Sequence, residues 1–437
     1  MSKKHYIILT AIGALLVIGA LRIGTLFSGQ QQAGNIFGLG YNKQAQLAGT
    51  DRTKETNTLT QLSLGDALKN EKFIDISAGH FTSLMLTQSG KVYAVGSNNS
   101  RLVKDTPLVT YDRPNEIPFE GLENGETITQ IDASRDHALA LTSHGRVYAW
   151  GSNATGQLGD GTNTTNGKPR VVADLPKATK VATGYRHSVA ITEDGSVYGW
   201  GGKCTDENYS AAQKILEQAG SNITGLGAYG SPEHQETVED VSECTTQDST
   251  FVQSKKPVKI VGIEGKAVAI AAGFGHLMVK TEAGDLYTGG CNTHDQLGRT
   301  KPPKGTEGRN NMAKVELPGK VQAISAGYRH SLVTLTDGIL MAWGYNGQGY
   351  VLHVDSADPT IKKPMKVKTD KKFNTIEAAY DTSFGVTTDG TLDAWGQDDQ
   401  HAFWRDAPAA IHEVAKIPAD TPIVAAGMEH LLVLEKS

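Results

Sequence analysis

Six of the thirteen histidines fall in one recurring string: a small residue and a glycine, then histidine at short distance, then alternating apolar residues. They are His80, His137, His187, His276, His330 and His430, in SAGHFTSLML, ASRDHALAL, ATGYRHSVAI, AAGFGHLMV, SAGYRHSLVTL and AAGMEHLLVL. Thr382 holds the place in AAYDTSFGV. Imidazole suits acid–base catalysis near neutral pH. A catalytic group is needed once, however, whereas a residue repeated along the chain answers a structural need. The expectation is an imidazole bonded to nearby backbone, fixing a turn. The pairs Asp136-His137 and Glu429-His430 make no relay, because neighbours on a strand point to opposite faces. His294, His401 and His412 lie outside the string without ligand spacing. There is no serine nucleophile elbow, no Cys-x-x-Cys pair for zinc and no D-x-D-x-D-G run for calcium. Catalytic residues, metal and cofactor are all expected to be absent. The glycine-rich VYAWGSNATGQLGDGT, Val147 to Thr162, is no phosphate loop, for it lacks the Lys-Ser or Lys-Thr and the helix that such a loop opens.

That stretch belongs to a second recurring string, hydrophobic-x-hydrophobic-Gly-x-Asn after a turn glycine. Its copies are SGKVYAVGSN, HGRVYAWGSN, DGSVYGWGGK, AGDLYTGGCN, DGILMAWGYN and DGTLDAWGQD. Trp150, Trp200, Trp343 and Trp395 mark four of them, and Val95 and Gly289 replace the tryptophan in two others. Each histidine string joined to the following tryptophan string reads as a β-hairpin whose turn glycine supplies positive φ. A period of about fifty residues points to propeller blades. A seventh copy is divided: AAGMEHLLVLEKS stops where its turn should come, and AGNIFGLGYN, from Ala33, supplies the missing half. The predicted fold is an all-β, seven-bladed β-propeller closed by pairing the strand near Ile36 with the strand near Val433, which removes the open edges.

The strings VYAWGSNATGQLGDGT, ATGYRHSVAITEDGSVYGWG and SAGYRHSLVTLTDG resemble repeats of the regulator of chromosome condensation family, over about Ala33 to Glu435. The resemblance implies seven blades of four strands each. It does not imply one activity: the family includes an exchange factor for a small GTPase, fused regulatory modules and exported bacterial propellers.

Ahead of the repeats, Lys3 and Lys4 precede the apolar run Tyr6 to Phe27, broken by Arg22. As a helix it would span roughly 33 Å, enough for a bilayer core. The lysines favour an inside N-terminus and an exported body. A cleaved signal ending near Ile18-Gly19-Ala20 is the alternative, which would leave the body secreted. The chain thus divides into an anchor or signal segment, 1–28, and a propeller, 29–437. An insertion at about 203–253 lengthens one repeat and carries nine acids against two lysines. Cys204 and Cys244 bracket most of it and form the favoured disulfide, with Cys291 left free; Cys204 with Cys291 is the other pairing considered. The net charge of −5 gives no reason to expect nucleic acid. What remains is a monomeric, non-enzymatic scaffold outside the cytoplasm that binds a protein. Tyr185, Arg186, Phe274, Tyr328 and Arg329 are the candidate contacts, being of interface type. An exported enzyme acting on cell-wall carbohydrate or peptide, and a nucleotide exchange factor, are the competing readings.

Overall fold

The computed structural model describes residues 35–49, 56–106, 109–202, 254–299, 312–347, 352–396, 410–417, 423–427 and 430–435. The apolar run Tyr6 to Phe27, the 203–253 insertion, Cys204 and Cys244 lie outside them. Among the described residues no helix is long and apolar enough to cross a membrane.

The strands form seven four-stranded antiparallel sheets. Blades 1 to 6 follow one another at 73–117, 128–171, 178–260, 267–314, 321–366 and 373–416. Blade 7 is composite: Ile423–Ala426 and His430–Leu434 from one end of the chain, Ile36–Gly40 and Thr56–Gln61 from the other. Ile36 pairs with Leu434 and Phe37 with Val433, which is the expected closure. The first strands of the blades are Phe73–Ala78, Ile128–Ala133, Ala178–Thr183, Ala267–Ala272, Val321–Ala326, Phe373–Ala379 and Ile423–Ala426. Each touches the next and the last touches the first, so they ring a central channel.

Hairpin chemistry makes each blade local. In blade 3, Asp194 accepts bonds from Ser196 N at 3.0 Å and Thr192 Oγ1 at 2.6 Å, and Gly195 takes φ 80°. This tight turn lets His187–Thr192 pair with Val197–Gly201. Packing then joins the blades. Leu139, Leu141, Val147 and Ala149 of blade 2 share one apolar cluster with Val181, Ala190 and Trp200 of blade 3. Fully burying such side chains contributes about 1.5–3 kcal/mol each.

The register fixes two faces. His187 pairs with Gly201, so the turn after the first strand and the loop after the third strand lie at the same end, the upper face. The tight hairpin turns lie on the lower face. The register also corrects one expectation. Thr82 pairs with Gly96 as His137 pairs with Gly151, so Thr82 occupies the histidine position of blade 1. His80 follows Gly79 directly and belongs to the turn, where its ring stacks on Phe81 at 3.6 Å.

Candidate functional site

The repeated histidines join one blade to the next. His137 Nε2 lies 2.8 Å from Ser188 Oγ, His276 Nε2 3.0 Å from Ser331, His330 Nε2 2.9 Å from Ser383 and His430 Nε2 2.9 Å from Ser83. Ser188, Ser331 and Ser83 donate their own protons to the carbonyls of Gln157, Gln296 and Gln46. In those three links the serine oxygen therefore accepts, and the imidazole carries its proton on Nε2. Burial pushes His187, His276 and His430 down to about 3 and His330 to about 4, so these rings are neutral. The partner is a serine of the next blade as well as backbone, which the sequence alone did not specify.

Three of the four repeat tryptophans serve the same joints. Trp200 Nε1 donates to Gln157 O at 2.9 Å and Trp343 Nε1 to Gln296 O at 2.8 Å; Trp150 Nε1 reaches Leu102 O at 3.1 Å. The loop NATGQLG of blade 2 is thus clamped by Ser188 and Trp200 of blade 3. From within, Asn153 Oδ1 accepts from Leu158 N at 2.9 Å. His137, His276, His330 and His430, with Trp150, Trp200 and Trp343, are thus engaged in holding neighbouring blades together.

Tyr185, Phe274 and Tyr328 all follow the turn glycine directly, and on the upper face their rings meet. Centroids are 4.5 Å apart for Tyr185–Phe274 and 4.1 Å for Phe274–Tyr328. Tyr380 extends the stack, 4.6 Å from Tyr328. Arg135 lies 4.5 Å over Tyr185, Arg186 5.6 Å over the same ring, and Arg329 5.1 Å over Tyr328. The turns are locked blade to blade: Tyr185 N donates to Gly273 O at 3.1 Å, Phe274 N to Gly327 O at 3.3 Å and Tyr328 N to Tyr380 O at 2.9 Å. Arg329 pairs with Asp381 at 3.1 Å, and this neighbouring charge holds the guanidinium protonated against its burial. Tyr185, Phe274, Tyr380, Arg135 and Arg186 keep part of their surface exposed, while Tyr328 is buried.

All five candidates from the sequence are brought together here. Tyr380 and Arg135 were missed because Ala379 and Ser134 replace the glycine that marks the position; alignment on the strand registers would have found them. The stack roofs a channel cavity of about 250 Å³. Asp132, Glu377, Lys180, Gln130 and Ser77 line one part of its wall, and Ala182, Ile270 and Ala271 another.

Two further features lie apart from this stack. Glu123, Glu126 and His144 bring three ligand atoms together. Arg146 Nε, however, already bonds Glu126 at 2.9 Å and holds that carboxyl down to about 2, so a guanidinium stands where a cation would sit. Cys291 is disulfide-bonded, which overturns the expectation that it stays free. Cys204 and Cys244, the favoured pair, lie outside the described residues.

Models of the regulator of chromosome condensation (RCC1) repeat match at 144–191 and 283–334, and at 73–101, 128–157 and 321–349. The chain is 26% identical over 374 residues to human E3 ubiquitin-protein ligase HERC2, covering 83% of this chain but 7% of that protein. It is 25% identical over 358 residues to the Arabidopsis thaliana ultraviolet-B receptor UVR8, covering 77% of this chain and 67% of the receptor. Among solved structures, human WBSCR16 superposes with a TM-score of 0.70 at 17% identity, covering 93% of this chain and 99% of that one. Prp20p from Saccharomyces cerevisiae superposes at 0.69 and 20% identity, covering 93% and 92%. Repeat matches, strand order and closure agree: this chain is a seven-bladed propeller that carries RCC1 repeats and matches the RCC1-like propellers.

Proposed function

We propose that this chain is a non-enzymatic scaffold that binds a protein partner across the upper mouth of its channel, outside the cytoplasm and near a membrane. The observation that carries the reading is the continuous stack of Tyr185, Phe274, Tyr328 and Tyr380, flanked by Arg135, Arg186 and Arg329. Aromatic and arginine side chains dominate binding hot spots because they offer large area at low entropy cost. Here they converge from five blades on rigid turns, so little ordering remains for binding to demand. Protein binding is also what the structure of Prp20p describes for that propeller, with Gsp1p and histones. The location rests on Lys3, Lys4 and the apolar run Tyr6 to Phe27, and on the disulfide at Cys291, which suits an oxidising compartment.

The test is affinity capture from membrane and surface extracts of the source cell, using the wild-type chain beside Tyr185→Ala and Arg135→Ala. A partner retained by the wild type and weakened by about tenfold or more in both variants supports the reading. A partner held equally by all three, or none at all, rejects this face. Protease treatment of cells whose outermost barrier alone has been opened tests the location: a propeller digested only after the membrane around the cytoplasm is broken rejects it.

A further inference from the structure

The wall of the channel changes character at blades 4 and 5. Elsewhere, side-chain oxygens of one blade take the inward N–H groups of the next blade's first strand. Ile131 N donates to Asp75 Oδ2 at 3.1 Å and Ala133 N to Ser77 Oγ at 2.9 Å. One blade on, Val181 N donates to Gln130 Oε1 at 3.3 Å and Thr183 N to Asp132 Oδ2 at 2.7 Å. In blade 6, Ala378 N donates to Ser325 Oγ at 2.9 Å. The strand registers put Ile270 and Ala272 of blade 4, and Ile324 and Ala326 of blade 5, at these same positions. Facing them from the preceding blades are Lys180 and Ala182, and Ala269 and Ala271, whose side chains cannot accept a hydrogen bond. Those four N–H groups have no side-chain acceptor among the described residues.

The channel is also more open there. The first strand of blade 4 is half-buried from Val268 to Ala272, whereas Ile131, Ala133 and Val181 to Thr183 are buried. Ala182, Ala269, Ile270 and Ala271 line the cavity of about 250 Å³ at this point. The charged side chains of its lining cancel, Arg135 and Lys180 against Asp132 and Glu377, so the net charge favours neither a bare anion nor a bare cation. Glu377 Oε2 lies 3.4 Å from Ser325 Oγ, which brings a carboxylate to the edge of blade 5, beside Ala326.

We propose that the channel binds a free α-amino acid with a small apolar side chain. Its carboxylate takes the inward N–H groups of blades 4 and 5, which form the short, strong bonds of backbone donors to an anionic oxygen. Its ammonium faces Glu377, and its side chain lies against Ala182, Ala269 and Ala271. The cavity is smaller than the roughly 300–1,000 Å³ of sites for drug-sized ligands, which suits a molecule of this size. The site lies beneath the aromatic stack and does not depend on that stack binding a protein.

The experiment is ligand-observed saturation-transfer NMR on the full chain with L-alanine and L-valine. Isovalerate and isobutylamine serve beside them, each carrying the valine side chain with one of the two charges. The variant Ala182→Ser/Ala271→Ser places hydroxyls where Ser77 and Ser325 already serve their neighbours, and so occupies Ala272 N and Ala326 N from within the fold. The expected result is binding of an amino acid that weakens about tenfold or more in the serine variant and in Glu377→Gln, and for both single-charge compounds. Thermal melting shows whether the serine variant folds, and Ala271→Ser alone replaces it if it does not. No binding of either amino acid, equal binding of isovalerate or isobutylamine, or unchanged binding in the folded serine variant overturns the proposal.

Discussion

Two upper-face loops have the same plan and differ at one joint. The blade 2 loop runs Asn153-Ala-Thr-Gly-Gln157-Leu158-Gly159, and the blade 7 loop runs Asn42-Lys-Gln-Ala-Gln46-Leu47-Ala48. In both, the asparagine accepts from the leucine N–H, at 2.9 Å. In both, a serine of the next blade donates to the glutamine carbonyl. The next blade supplies Trp200 at the first loop and Val95 at the second. A Cβ on Gly159 would lie 2.8 Å from the Trp200 indole nitrogen, so the indole demands glycine. Val95 leaves that space, and Ala48 fills it in one apolar cluster with Val95, although its φ is 55°. The Gln-Leu-Gly element is thus read together with a tryptophan some forty residues later, as one interlocking pair.

Acid should act on this comparison most strongly. His430 holds the blade 7 loop through Ser83, and His187, His276 and His330 are likewise buried neutral. Their folded values, about 3 to 4, lie below the ordinary 6.5, so between these limits the unfolded chain binds more protons. Stability is full above pH 6.5 and falls as pH drops toward 4, by up to about 1.4 kcal/mol per histidine and pH unit. Denaturant midpoints from pH 7 to 4.5 measure this, and a flat profile would remove the neutral-imidazole account. Trp200→Ala should cost about 3–5 kcal/mol, from the cavity and the lost bond to Gln157 O. Gly159→Ala should cost about 1–3 kcal/mol through clash and positive φ, and the penalty should shrink in the Trp200→Ala background. Ser188→Ala should cost about 1–3 kcal/mol by orphaning His137. Smallest of all, Ala48→Gly should stabilise by up to about 1 kcal/mol by relieving the left-handed backbone. A destabilisation there would mean that the Ala48 methyl contributes more through packing than its φ costs.

The hairpins, the divided blade and the ring were legible because their signals are local: turn glycines, alternating apolar residues and matching halves. The assignment of His80 failed because a histidine two residues early looked like the motif, and only the pairing of Thr82 with Gly96 separates them. Tyr380 and Arg135 were hidden because Ala379 and Ser134 took the place of glycine. The bonds from His137 to Ser188 and from Trp200 to Gln157 cross between blades, and spacing along the chain carries no direct trace of them. Loop length ranks closure entropy but not which sulfurs meet, so the sequence left two pairings open, one of them with Cys291 bonded.

The composite seventh blade has a consequence in time. Ile36–Gly40 is made first, yet its partner His430–Leu434 is made last, about four hundred residues later. At roughly 5–20 residues per second, the first strand waits for about 20–80 seconds with one edge unpaired. During synthesis the molecule is an open arc whose leading edge is a ready template for another chain. A cell making this protein must keep that edge occupied or dilute until the last strand arrives.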